Sequence, residues 1–263
     1  MARGSEYTFL FNQDAYVAPD AIEDLASFME QSPNFGVVSP LHCCPDLNSI
    51  DRKICNSYIS PFASSFLCDA AMGKAASCYK IRGINAAAWF VRTSTFLKVG
   101  GFDPLFFMYG EDDDLIRRFE IHKIDFALLP SARIVHLNES APAEVRPSFW
   151  KSIKKNVERE RSRLVVRIKD QAFSYPYMLR ILVVEGGLLP IANLLLSGRW
   201  KNFIIRIIAT FRVLMQIRLI RERARLCATP SAHFLDVDIL GTPAKRSGVV
   251  CCKEMDCTDA PKP

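Results

Sequence analysis

From Tyr7 to Pro40 the chain reads YTFLFNQDAYVAPDAIEDLASFMEQSPNFGVVSP, and this stretch decides the fold. Tyr7 to Phe11 is a short apolar run that stops at Asn12-Gln13-Asp14, as a buried strand of a parallel sheet stops in a polar loop. Asp20 follows Pro19 and stands three residues before Glu23, the spacing of a capping box, so a helix is expected to start there. Ile22, Leu25, Ala26 and Met29 follow at i, i+3, i+4 and i+7, giving that helix one apolar face to lay on a sheet. Gly36 to Pro40 reads as the next strand. Strand, helix, strand is a unit of an α/β layer fold.

Beyond it, Leu41 to about Ile81 shows no clean period and holds Cys44, Cys55, Cys68 and Cys78. It reads as an irregular insertion with one or two short helices. Asn85 to Arg92 (NAAAWFVR) reads as a strand, and Thr93 to Val99 as a short helix stopped by Gly100-Gly101. Phe102 to Gly110 is an aromatic-rich loop. Asp112 to Ile121 is expected to be a helix with Leu115, Ile116 and Phe119 inward, followed by strands Phe126–Leu129 and Arg133–Leu137 separated by Pro130. Residues 1–147 therefore form the α/β portion.

In 148–227 the pattern turns helical. A basic helix is expected over Trp150 to Ala172, then apolar helices over Tyr177 to Leu226, broken at Gly186-Gly187, Pro190 and Gly198. No uncharged run reaches the ~20 residues that span a bilayer. Contact with a membrane interface, cations snorkelling while Trp200 and the Ile cluster dip in, and an ordinary hairpin packed on the α/β portion both fit this composition. Residues 228–263 are polar, with Pro, Gly and Cys, and read as a disordered tail.

The 263 residues suffice for one substantial core, or one domain plus an appendage. A composition 49% hydrophobic and 24% charged excludes global disorder. Of the net +6, nearly all lies between Trp150 and Asp170, where eight Lys or Arg face three Asp or Glu. Such a segment attracts phosphates or is simply a solvated helix face. Nine cysteines without CxxC zinc spacing read as free thiols of a reducing cytosol. The chain opens almost directly on the Tyr7 strand, which raises the expectation that an earlier part of the domain is missing.

Three sites carry chemistry. Asp14, just past a buried strand, projects beyond the sheet edge, where it can bind a hard cation bridging two phosphates or serve as an ordinary turn residue. Glu111-Asp112-Asp113-Asp114 opens a helix, where the macrodipole favours acids. One of these carboxylates facing a cleft could also take a proton from an acceptor hydroxyl, its basicity raised by its neighbours. Asp113 and Asp114 could instead cap the helix or contact Arg117 and Arg118. His136, near a strand end, is either a satisfied core residue or an imidazole for a metal–diphosphate site.

The order of these pieces carries a resemblance. Phe9-Leu-Phe-Asn-Gln-Asp-Ala-Tyr-Val-Ala-Pro-Asp20 resembles the strand and metal-binding loop of the family 2 glycosyltransferases, especially their rhamnosyltransferase-like branch. The stretches Asn85 to Arg92, Val99-Gly-Gly-Phe-Asp103 and Phe106 to Leu115 look like that family's acceptor side. Arg133-Ile-Val-His136 is similar to its closing strand, and Arg161-Ser-Arg-Leu164 to its continuation. The likeness runs from about Tyr7 to Leu164.

The resemblance implies a partial GT-A (Rossmann-like) mixed sheet with flanking helices, a C-terminal helical region after it, and an inverting displacement at the anomeric carbon of a nucleotide-sugar donor. Asp14 would bind Mg2+ or Mn2+ and the diphosphate with Asn12 nearby, and His136 would complete that site. Asp112 would be the catalytic base and Glu111 would position the acceptor, a polysaccharide or lipid-linked glycan. Trp89 would line the acceptor cleft, and Asp103 would shape the loop beneath it.

Two departures stand out. The family's first strands and helices, which hold the nucleotide, are absent, and Ala86 stands where a glycine is common. An accessory chain or remnant, with a partner chain supplying the missing strands at the edge of Tyr7–Phe11, is the competing expectation. A binder of nucleic acid or lipid surfaces through residues 150–169 ranks below both, and nucleic acid is not an expected partner. The expected location is cytoplasmic, with peripheral contact on the inner face of the cell membrane.

Overall fold

A computed structural model describes residues 5–137, 149–169 and 175–230, together with Phe234. The expected end of the basic helix at Ala172 and most of the expected tail lie outside these residues.

The strands are β1 (Tyr7–Phe11), β2 (Ala15–Val17), β3 (Phe35–Cys43), β4 (Tyr79–Ile81), β5 (Ala88–Arg92) and β6 (Asp125–His136). They form one mixed sheet in the order β1-β5-β3-β6-β2, with β4 also paired to β6. Only β3 and β6 run parallel among the pairs; β5 is antiparallel to both β1 and β3. The helices are α1 (Ala21–Gln31), α2 (Arg52–Ile54), α3 (Ser60–Phe62), α4 (Ser64–Ala71), α5 (Thr93–Lys98) and α6 (Glu111–Ile121), then α7 (Phe149–Ile168), α8 (Tyr175–Arg180), α9 (Leu189–Ser197), α10 (Trp200–Met215) and α11 (Ile217–Leu226). Wider π-helical turns at Cys55–Ile59 and Ile181–Leu188 link α2 to α3 and α8 to α9. The chain is thus a mixed α/β protein with a mixed sheet, flanking helices and a C-terminal helical region.

Both sheet faces are buried, because alternate side chains go to opposite sides. Val37, Trp89, Val91, Phe126 and Leu128 pack with Leu115 and Phe119 of α6. Val38, Phe90, Ala127 and Leu129 pack with Ala21, Leu25 and Met29 of α1. A further core joins α7 to the C-terminal helices and includes Leu105 and Phe106.

Several expectations need correction. Tyr7 to Leu10 are half-buried rather than buried, since β1 lies at the end of the sheet order with only β5 beside it among the described residues. The capping box does not form: Asp20 sits at φ 64° and its side chain makes no cap bond. The helix buries Ala21, Leu25 and Met29, a face that leaves Ile22 exposed. Pro130 does not divide two strands. The β3–β6 register jumps there, from Pro40↔Leu129 to Leu41↔Arg133, and an irregularity is where a strand tolerates a residue with no N–H.

Gly186-Gly187 and Pro190 do not break the helix either. The π turn carries both glycines, and Pro190 enters in the first turn of α9. Pro176–Ser197 is consequently one helical run of 22 residues with mean hydropathy 1.8, long and apolar enough to cross a membrane by length and composition. The break at Gly198 does occur, in left-handed conformation at φ 61°.

A buried ionic cluster ties the two regions together. Asp103 accepts from Lys169 at 2.7 Å and from Arg223 at 3.3 Å, while Asp114 pairs with Arg118 at 3.0 Å and also with Lys169. The Asp114–Arg118 contact is one the sequence allowed. Phe234, inside the stretch read as a tail, is buried with its ring 5.0 Å from the Arg118 guanidinium.

Candidate functional site

The sheet topology gathers distant residues at one edge. β1 ends where β5 begins, Phe11 opposite Ala88; β6 ends at His136, opposite Ala15 at the start of β2; β3 ends with Cys43 opposite Val135. Asn12, Asp14, the Asn85–Ala87 turn and His136 therefore share that edge. Backbone bonds fix it: the Asn12 N–H donates to the Ala87 carbonyl at 2.9 Å, and the Leu137 N–H to the Asp14 carbonyl at 2.9 Å. The Asp14 carboxylate then lies 3.2 Å from His136 Nε2, although the two residues are far apart in the chain.

Behind this pair lies His42, fully buried on β3, with neither ring nitrogen hydrogen-bonded. Burial, reinforced by His136, pushes its pKa down to about 3, so it is a neutral imidazole at physiological pH.

The acidic turn is built by Gly110. At φ +82° it takes a left-handed conformation that a side chain rarely adopts, and it turns the aromatic loop into α6. Glu111, Asp112, Asp113 and Asp114 then occupy the first turn, where the helix dipole offsets their charge. Their roles separate. Asp114 points inward to the ionic cluster. Asp112 accepts the Asp113 backbone N–H with Oδ1 at 2.9 Å. Asp113 has its pKa raised to about 6, first by burial and then by the Asp112 charge, against the pull of Arg82. By surface area Asp113 is exposed, so the protein crowds it from one side while solvent reaches it from the other. Glu111 is also raised, first by burial and then by Asp112 and Asp113, and its Oε2 is enclosed without a partner.

Tyr58 and Asn85 connect the acidic turn to the sheet edge. Burial pushes the Tyr58 phenol up to about 12, with the charges of Asp112 and Asp113 adding, while a hydrogen bond to the Asn85 side chain pulls the other way. Asn85 Oδ1 accepts the Ala87 N–H at 3.0 Å, and Ala87 holds Asn12. One amide side chain thus touches both the Ala87 backbone at the sheet edge and the Tyr58 phenol.

Of the residues singled out from the sequence, Asp14 and His136 are in contact, Asn12 adjoins them, and Asp112, next to Glu111, lies near Tyr58. Trp89 and Asp103 do not face an open cleft. Trp89 is fully buried, packs edge-on to Phe126 and donates its indole N–H to the Ile84 carbonyl at 3.1 Å. Asp103 is buried too, its oxygens taken by Lys169, Arg223 and the Leu105 N–H. Both are structural because their polar atoms are satisfied inside the protein.

Tyr58, Asn85 and His42 were not anticipated. Asn85, a polar residue immediately before an apolar strand, was the one with a signal; Tyr58 lies in the segment without periodicity. Among the described residues no three His, Cys, Asp or Glu groups form a metal cluster. The donor set at the edge is one carboxylate and one imidazole beside an amide. No family model matches the chain, and no curated protein matches it.

Proposed function

We propose that this chain transfers a sugar from a nucleotide-activated donor to an acceptor hydroxyl, with inversion, and that its sheet is the acceptor-side half of a GT-A-type fold. One observation carries the reading: Asn85 bonds both Tyr58, which feels the charges of Asp112 and Asp113, and Ala87, whose carbonyl holds Asn12 in the loop where Asp14 meets His136. In open α/β sheets, ligands bind in such crevices at strand ends.

Asp112 is the base in this reading. Its carboxylate takes the proton of the acceptor hydroxyl as that oxygen attacks the anomeric carbon, and the nucleoside diphosphate leaves with the bonding electrons. Glu111, protonated more readily than an ordinary glutamate, holds the acceptor by hydrogen bonds. Tyr58 stays a neutral phenol at working pH and supports both the acids and Asn85.

Asp14 and His136, with Asn12 adjoining, are the residues that would hold Mg2+ or Mn2+. Two protein donors suit an ion that keeps water and phosphate oxygens for the rest of its shell. Such an ion supplies charge neutralisation for the departing diphosphate.

The test is turnover of UDP- and dTDP-sugars with Mn2+ by wild type and Asp112→Asn. The proposal predicts at least a hundredfold loss in the variant, with nucleotide affinity little changed; equal turnover in both rejects the base assignment. A second reading has its own support. β1, which leads into the Asn12–Asp14 loop, has an unpaired outer edge among the described residues, so strands from another chain could complete the sheet there. In that case turnover appears only when such a chain is added.

A further inference from the structure

The C-terminal helices leave a large apolar face uncovered among the described residues. On α10 the exposed side chains Trp200, Ile204, Ile207, Phe211, Leu214 and Met215 recur at helical spacing along one side. The opposite side, Ile205 and Ala209, packs on Val157 of α7, and Arg206 and Arg212 reach Glu160 and Glu158 of that helix. The preceding helical run adds Leu188, Ile191, Leu195 and Leu196, the last two 81% and 87% exposed. Phe107, 87% exposed, lines one recess of about 430 Å3 with Phe211 and Met215, so the apolar face continues to the loop before α6.

Charge and aromatic placement indicate what covers it. Residues 175–227 hold nine Lys or Arg against two Asp or Glu. Lys201 lies 5.7 Å from the Trp200 ring and 5.0 Å from the Phe149 ring, which itself packs edge-on against Trp150. Trp150 and Trp200 are both well exposed. Exposed tryptophans beside lysine, at the end of an Ile- and Leu-rich face, match the headgroup level of a bilayer: the ring bodies enter the apolar boundary while the cations meet phosphate. We infer that this hairpin docks α8–α10 flat on an anionic lipid bilayer.

The helix Pro176–Ser197 lies in the interface and does not cross. Glu185, near its middle, is ion-paired with Arg163 and Arg167 of α7, and Gly186 sits so close to Thr210 of α10 that a Cβ there would come within 2.6 Å of it. Crossing would pull Glu185 from both partners into hydrocarbon and separate the hairpin. Docking stands whether or not the chain transfers sugar. Joined with that activity, it brings the acidic turn to the membrane surface, because Phe107 and Met108 precede Glu111 by four and three residues.

Sedimentation with vesicles tests it, using phosphatidylcholine alone and with 30 mol% phosphatidylglycerol. The full chain is expected to bind the anionic vesicles at least tenfold more tightly, weakening from about 50 to 500 mM salt as screening grows. Leu195→Asp/Phe211→Asp, altering two exposed side chains, should lose at least tenfold in affinity with unchanged circular dichroism and urea midpoint. Failure of wild type to bind, equal binding by the variant, or a wild-type dimer that the variant dissociates would each overturn the inference. Retention on vesicles at pH 11 in carbonate would overturn it in favour of a spanning helix.

Discussion

Asp103→Asn is the substitution whose effect the structure specifies most fully. In the buried cluster, Asp103 and Asp114 face Arg118, Lys169 and Arg223, with side chains at most 7% exposed. Burial alone would depress Lys169, but Asp114 and Asp103 hold it above its ordinary value, so it is charged throughout the neutral range. Neutralising Asp103 leaves three cations with one carboxylate. Breaking one buried pair costs about 3–5 kcal/mol; Arg223 is left without a carboxylate and Lys169 keeps only Asp114, so the upper part of that range applies. For a chain of this size it corresponds to a fall of roughly 8–20 °C in Tm. Lys169→Met instead leaves two acids with two arginines and should cost about 1–3 kcal/mol. Urea unfolding followed by circular dichroism and by the fluorescence of buried Trp89 measures both. A midpoint for Asp103→Asn within about 1 kcal/mol of wild type, or Lys169→Met as the more damaging change, refutes the charge count.

Two pH effects of opposite sign follow from the site. The buried neutral His42 binds its proton only near pH 3, while the unfolded chain binds it below 6.5, so its contribution to stability falls as pH drops from 6.5 towards 3; His42→Phe should flatten that slope in urea midpoints taken across the range, and an unchanged slope contradicts it. Asp113 has a raised pKa, so the fold disfavours its charge and stability declines as pH rises from 3.8 to about 6; Asp113→Asn should gain on wild type between pH 4 and pH 8, and a loss over that interval contradicts it.

What the sequence disclosed was what depends on local pattern. The helix after Pro19, the strands at Gly36 and within Asn85–Arg92, the acid-rich first turn of α6 and the long basic α7 each carry their own periodicity or punctuation. The edge position of β1 entered only with the accessory-chain expectation, since its apolar run by itself reads as a buried strand. The three-residue strands β2 and β4 carry no pattern of their own; they exist because β6 offers them partners. The continuity of the Pro176–Ser197 helix escaped because Gly186 reads as a breaker, whereas its lack of a side chain is what admits Thr210. At the site, Asp14, His136 and Asp112 were named from motif order. Trp89 and Asp103 carry polar atoms satisfied inside the core, which in sequence look like atoms offered to a ligand. Tyr58 could not have been found, since its proximity to Asp112 and Asn85 is wholly tertiary.

The proposed sugar transfer requires a cation at Asp14 and His136 within reach of Asn85 and the acidic turn. Paramagnetic broadening by Mn2+ with a nucleoside diphosphate tests this directly in an isotope-labelled chain. Wild type should lose the His136 ring and Asn85 side-chain amide signals selectively, and Asp14→Asn should keep both at the same Mn2+ concentration. Equal broadening in the two proteins, or broadening confined to acids away from this edge, would contradict the account.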